Sequence, residues 1–255
     1  MSGTELDRIL AFLRSSEEAV CDEVVPTAHG AAMTTPSLPL VWQLNALQVD
    51  DPEAGWRELT EEAERIQGAF MHRKLVVHDE QLGRRLCAPL LRRGWNVFRL
   101  LVMTWSGELE ERDLPPAAEV ERAAGAAALA RFRREQPFGS QRDAIEQLAG
   151  MDDRYGRALN ARDFASPPDV PACALRLYTK DGIAQIDEVG TIEARRGQGH
   201  ASAAVMAASA RAREEGNETV FLLTDEADWP KSMYRRLGFE EIGVVHEFLR
   251  VPLGS

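Results

Sequence analysis

The stretch IDEVGTIEARRGQGHASAAVMAASARAREEG, Ile186–Gly216, decides the fold. Its opening is apolar with acidic interruptions and reads as a strand. Its end, from His200 on, is alanine-rich and reads as a long helix closed by Gly216. Between them lie Glu193, Ala194, Arg195, Arg196, Gly197, Gln198 and Gly199. A strand, a glycine-bearing loop and a helix in this order put unpaired backbone N–H groups, and the positive end of the helix dipole, at the loop. A phosphate is held well there. Gly197 and Gly199 let the backbone approach its oxygens, because no Cβ intervenes and positive φ costs them little. Ala201 is small, and Arg196 adds a forked cation suited to phosphate. Two other nucleotide patterns fit worse. No GxxxxGK[ST] occurs, and a GxGxxG reading fails because Ser202 stands at the third position, late in the chain.

The flanking segments extend this into a mixed sheet. On the N-terminal side, ACALRLYT (172–179) and IAQIDEVGTI (183–192) read as strands joined at a Lys180-Asp181-Gly182 turn. Before them come a short strand near Val120, helices over about 121–135 and 141–155, and a strand over 160–164. On the C-terminal side, TVFLLTD (219–225) reads as a buried strand, PKSMYRRLGF (230–239) as a short helix ending at Gly238, and EIGVVHEFLRV (241–251) as a last strand.

The first half alternates in the same way. A helix is expected over 5–20, strand pieces and turns over 22–39, and a strand over 40–49. A helix opened by Asp51-Pro52 is expected to run to Met71. A strand over 74–79, a helix over 79–94 ending on Gly94, and a strand over 95–105 follow. The charged, proline-ended segment 106–119 reads as a linker, so the expectation is an α/β chain of two domains, 1–110 and 116–255.

Composition narrows the functional classes. The chain has 255 residues, 44% of them hydrophobic, enough for two cores. No run approaches the ~18 apolar residues of a membrane span, so no membrane partner is expected. The N-terminus lacks a basic segment followed by an apolar one, as a secretory signal would need. Cys21, Cys87 and Cys173 are far apart and odd in number, so no disulfide framework or zinc site is expected, and a cytoplasmic location fits. A net charge of −11 speaks against nucleic acid as a partner. The basic run Arg84, Arg85, Arg92 and Arg93 reads as a solvated helix face.

The spacing Arg196-x-x-Gly199-x-Ala201 resembles the R/Q-x-x-G-x-G/A pyrophosphate loop of the GNAT superfamily of acyl-CoA N-acyltransferases. Tyr234-Arg235-Arg236-Leu237-Gly238-Phe239 resembles that family's Tyr-x-x-Leu-Gly-Phe segment, with one helix, one strand and a turn between the two motifs. The likeness covers the C-terminal half. It implies a GNAT fold there and acetyl-CoA, or another acyl-CoA, as cofactor. The binding residues it implies are Val189, Gly190, Thr191 and Ile192 on the strand, then Arg196, Gly197, Gln198, Gly199, His200, Ala201 and Ser202 on the loop and helix start. One departure stands out: where many members carry asparagine seven residues before the tyrosine, this chain has Ala227, with Asp225 and Asp228 nearby.

Acyl transfer from a thioester to an amine needs a neutral amine, donors for the developing oxyanion and help for the departing thiolate. Asp187 and Glu188 are adjacent on the strand, so simple alternation sends them to opposite faces. Either can take the proton, and either can be an exposed edge carboxylate. The resemblance favours Glu188 as base. It also makes Tyr234 the general acid, against the plainer alternative of a tyrosine packed on the sheet. Backbone N–H groups near Val189 to Thr191 suit the carbonyl oxygen, and in the family this strand pairs with the pantetheine arm. His200 is expected to be a solvent-facing loop residue. His29, His72, His78 and His246 show no metal-ligand spacing, and no metal is expected. Trp229, Phe239 and Cys173 are expected in the core.

The first half resembles a second, degenerate copy of the unit. It lacks the loop motif, and Asp50, Asp51 and Glu53 would repel a diphosphate. The expected function is transfer of an acetyl group to a primary amine of a small or amino-acid-like acceptor, by a monomer or homodimer. The alternatives are a non-catalytic acyl-CoA-binding module, or a tandem transferase resembling mycothiol synthase or the Fem type, the latter using aminoacyl-tRNA.

Overall fold

The computed structural model describes residues 4–107 and 113–251. The expected domain end at 110, the middle of the linker and the last residues from 252 on lie outside the described residues. The described chain is mixed α/β and divides into two units. Unit 1 takes residues 1–102, 224–228 and 243–255; unit 2 takes 103–223 and 229–242.

In unit 1, helix α1 (Glu5–Val20) starts at a capping box. The Thr4 hydroxyl accepts from the Asp7 N–H, and the Asp7 carboxylate accepts from the Thr4 N–H. Ile9, Phe12, Ser16 and Val20 recur at helical spacing and are the buried face. Strands β1 (Glu23–Thr27), β2 (Gly30–Thr34) and β3 (Ala46–Val49) form an antiparallel meander. Helix α2 (Trp56–Gln67) then crosses to β4 (Arg73–Val77), which runs parallel to β3. Helix α3 (Glu80–Leu91), capped by Asp79, leads to β5 (Asn96–Trp105). The far end of the last strand, β11 (Phe239–Arg250), lies antiparallel to β4, with His246 opposite Val77. The core joins Leu47, Leu59, Leu75, Leu82, Leu90 and Phe248.

Two expectations fail here for local reasons. Residues 40–49 are not one strand, because Asn45 gathers the chain beneath it. Its Oδ1 accepts from the Thr35 N–H, and its Nδ2 donates to the carbonyls of Leu38 and Val41. Trp42–Leu44 therefore turns as a short 3-10 helix, and the strand begins only at Ala46. Nor does Asp51-Pro52 open α2. Asp51 closes a turn instead, its carboxylate accepting from the Glu53 N–H at 2.9 Å and its carbonyl from Ala54. The helix starts at Trp56 and stops at Gln67, whose side chain pairs with both backbone groups of Lys74.

In unit 2, strands run in the order β10 (Thr219–Asp225), β9 (Ile183–Thr191), β8 (Cys173–Lys180), β7 (Asn160–Ser166), β6 (Ala118–Val120). Strands β6 to β9 are antiparallel, and β10 is parallel to β9. The β8–β9 turn has positive φ at both Asp181 and Gly182, the twist a two-residue hairpin requires. Helices α4 (Arg122–Arg134) and α5 (Arg142–Ala158) precede β7, α6 (His200–Glu214) joins β9 to β10, and α7 (Pro230–Arg236) precedes β11.

The order α1-β1-β2-β3-α2-β4-α3-β5 recurs as α5-β7-β8-β9-α6-β10-α7-β11. In both series an antiparallel meander is followed by a crossover helix to a parallel strand. The repeat is thus legible in topology although the loop chemistry differs. Each unit also takes in part of the other series' last strand: unit 1 holds β11 from Gly243 on, and unit 2 holds β5 from Met103 on.

Candidate active site

The strand β9 changes character after Ile186. Its ladder with β10 pairs Ile183–Ile186 with Thr219–Leu222 and goes no further, so among the described residues Asp187 to Thr191 have no strand partner on that edge. On the other edge, β8 stays paired, but with a bulge. Arg176 faces Asp187 and Ala174 faces Gly190, leaving Glu188 and Val189 opposite Leu175 alone. Glu188 takes the left-handed conformation, φ 57°, uncommon for a residue with a side chain. The Asp187 carboxylate accepts from the Glu188 N–H at 2.8 Å and supports that kink. Alternation therefore breaks between the two carboxylates. They do not lie on opposite faces as expected; both meet one charged cluster.

That cluster is built from α4, α5, β7 and β8. Arg133 grips Asp152 with two hydrogen bonds of 2.9 Å and also donates to Glu188 Oε2. Asp152 lies 3.0 Å from Arg176 Nη1, and Arg176 Nε donates to Asp163 at 2.7 Å. Burial raises the Glu188 carboxyl to about 7, with Asp152 and Asp187 adding to the rise and Arg133 and Arg176 opposing it. Burial raises Asp187 as well. Tyr178, on β8, is also pushed upward, chiefly by burial. Sequence reasoning singles out none of Arg133, Asp152, Asp163 or Arg176. The available signal is Arg176, a charge inside the apolar run of β8, since arginine is rarely buried unpaired.

The loop after β9 leads into α6. Gly197 and Gly199 have φ 73° and 81°, and Gly199 is the N-cap. No side chain caps this helix and no acid lies in its first turn. The first intrahelical bond runs from the Ala203 N–H to the Gly199 carbonyl, which leaves the N–H groups of His200, Ala201 and Ser202 without a hydrogen-bond partner among the described residues. Arg196 is exposed, with Nε 3.4 Å from the Thr191 carbonyl, and Gln198 accepts from Arg195. These donors fit an anionic diphosphate. The corresponding helix of unit 1 differs: a Cβ added at its N-cap Gly55 would lie 2.3 Å from Oε2 of Glu58, so a carboxylate already covers that helix start.

Other expected positions fall as follows. Gly190 packs so closely that an added Cβ would be 2.4 Å from the Phe132 ring; Val189, Thr191 and Ile192 are partly exposed. His200 is not solvent-facing: it is 5% exposed, with Nδ1 3.0 Å from the Ser166 hydroxyl, and burial lowers its pKa. Tyr234 is buried on α7, its ring edge-on to Phe239 at 5.9 Å. Phe239 and Cys173 are in the core, whereas Trp229 is 62% exposed, against expectation. Asp225 accepts from the Ala227 N–H and so shapes the turn before α7. The basic run on α3 is engaged locally: Arg84 pairs with Glu80, and Arg85 donates to the Pro52 carbonyl. No helix among the described residues is long and apolar enough to cross a membrane.

Residues 155–239 match the model of the acetyltransferase (GNAT) family. A search of the curated proteins finds no match. Among solved structures, the GCN5-related N-acetyltransferase from Kribbella flavida is 21% identical with a TM-score of 0.66, covering 100% of this chain and 98% of its own. A conserved protein of unknown function from Staphylococcus epidermidis has a TM-score of 0.70 at 16% identity, covering 91% of this chain and 95% of that one. A tandem GNAT protein from the clavulanic acid biosynthesis pathway has a TM-score of 0.50 at 11% identity, covering 100% and 98%. At such identities the neighbours speak to the fold. With the family match spanning β9, the loop and α6, residues 155–239 of this chain carry a domain of the acetyltransferase (GNAT) family.

Proposed function

We propose that the chain is an N-acyltransferase that moves an acetyl group from acetyl-CoA to a primary amine of a small or amino-acid-like acceptor. The observation that carries this reading is the coincidence, on one strand-loop-helix, of an unpaired strand edge at Asp187–Thr191 and an uncapped helix start at His200–Ser202. An extended chain ending in a diphosphate is what such a surface binds, its amides meeting the strand edge and its anion the helix N-terminus.

The donor supplies an activated thioester. Glu188, held near pKa 7, accepts a proton from the incoming ammonium and leaves a nucleophilic amine. As the C–N bond forms and the C–S bond breaks, the Tyr234 hydroxyl gives a proton to the departing sulfur, and the second proton shed by the acylated nitrogen passes through solvent to restore the phenol. Backbone N–H groups between Val189 and Thr191 offer donors to the carbonyl oxygen. Glu188 is preferred over Asp187 as base because Asp187 is spent on the Glu188 N–H. Unit 1 is assigned no coenzyme, since Glu58 lies over its helix start.

The test pairs turnover with binding. Wild type, Glu188→Gln and Tyr234→Phe are assayed on an amine panel with mass detection of the acetylated product, while calorimetry follows acetyl-CoA binding. Each variant is expected to lower kcat about 100-fold or more, with acetyl-CoA affinity little changed. Wild-type turnover in both variants would remove these roles. Coenzyme binding with no amine acetylated by wild type would favour a binding module instead.

A further inference from the structure

We propose that Arg133 is a positioning residue for Glu188, anchored in turn by Asp152. This rests on the reading of Glu188 as base given above, and deepens it. Arg133 is 5% exposed and sits near the end of α4. Its guanidinium forks onto both oxygens of Asp152 at 2.9 Å, and its Nη2 also reaches Oε2 of Glu188. Arg176, whose Nε is tied to Asp163, places its Nη1 3.0 Å from Oδ2 of Asp152, the oxygen that Arg133 Nη1 also holds. The guanidinium therefore has no freedom to follow Glu188; the carboxylate must come to it.

Glu188 sits on a kinked residue of a bulge, where the backbone alone does not dictate the side-chain direction. A charged hydrogen bond to Oε2 anchors one carboxylate oxygen and leaves Oε1, which makes no hydrogen bond among the described residues, as the oxygen that accepts a proton. Lysine could not reproduce this, because one ammonium cannot fork onto Asp152 and still hold a fixed angle to Glu188.

The groups that face Glu188 are Arg133 on α4, Asp152 on α5, Arg176 and Tyr178 on β8, and Asp187 on β9. Of these, Arg133 is the cation in direct contact, so its loss leaves Arg176 alone to offset Asp152 and Asp187. Neutralising Arg133 therefore moves the proton affinity of Glu188 upward. Glu188 acts as base only when ionised, so the acid limb of kcat/KM moves to higher pH.

The experiment is the pH profile of acetyl transfer for wild type, Arg133→Gln and Arg133→Lys, each alone and in a Glu188→Gln background. Arg133→Gln is expected to raise the acid limb by about one pH unit and lower kcat roughly tenfold, with KM for acetyl-CoA little changed. Arg133→Lys restores the limb but not kcat. In the Glu188→Gln background neither change has a further effect on kcat, because its route of action is already gone. If Arg133→Gln does not fold by circular dichroism, the Lys variant and its double carry the test alone. An unmoved acid limb in Arg133→Gln, or an equal kcat loss with and without Glu188, overturns the positioning role while the base stands. Wild-type turnover by Glu188→Gln removes the base and this role together.

Discussion

Arg176 and Asp163 stand directly opposite one another on β8 and β7, joined at 2.7 Å, and neither side chain exposes any surface. Two charges withdrawn from water are stable only while each keeps its partner. The pair is tightly enclosed: a Cβ added at Gly125 of α4 would lie 2.3 Å from the Asp163 Cβ. Asp163→Ala leaves Asp152 as the one carboxylate in contact with the guanidinium and is expected to cost about 3 kcal/mol. Chemical denaturation monitored by tryptophan fluorescence reads this directly. A loss below about 1 kcal/mol would mean that Asp152 suffices.

Gly190 gives a second test of packing at the site. Its backbone does not need positive φ, so any penalty on substitution comes from contact. Gly190→Ala places a methyl group 2.4 Å from the Phe132 ring. The helix α4 must then shift from β9, carrying Arg133 with it. The expectation is a lower Tm together with slower turnover, both partly recovered by adding Phe132→Leu, which removes the obstructing ring. Thermal melts and kcat for the single and double variants decide it; a Tm for the single variant equal to wild type contradicts the close approach.

In unit 1, Glu17 is pushed up to about 7 by burial, with Glu247 adding and Lys74, Arg14 and Gln48 opposing. The folded state thus holds a proton here that the unfolded chain releases near the ordinary glutamate value. This contribution to stability is fully present below about pH 4.5 and is lost as pH rises through about 7. Glu17→Gln keeps an acceptor for Gln48 without a charge to bury. Its Tm is expected to exceed wild type at pH 8 and to approach it near pH 4. A gain of equal size at pH 8 and near pH 4 would assign the effect to packing.

Much of the fold is legible in the sequence because its signals are local. Gly182, Gly199 and Gly216 occupy positive-φ positions that few other residues tolerate, and they bound the hairpin and both ends of α6. The runs ALRLYT and TVFLLTD form strands because apolar, β-branched segments are buried on both faces. The failures come from contacts distant in sequence or from side chains that compete with the backbone. Asn45 bends what reads as a strand, and Asp51 ties off what reads as a helix start. At the site, the open helix start follows from Gly199, but the clustering of Asp187 and Glu188 does not. A bulge shifts register by one residue, and alternation along β9 carries no trace of it. His200 is hidden for a similar reason, since its partner Ser166 lies on another strand.

In the proposed reaction the amides at His200–Ser202, with Arg196 beside them, hold the diphosphate of a CoA thioester. Isothermal titration of acetyl-CoA into the full chain tests it most directly, with Arg196→Gln as the paired variant. Wild type is expected to show one saturable site per chain, with affinity about tenfold weaker when the guanidinium is removed. Folded wild-type protein that takes up no CoA thioester would contradict it.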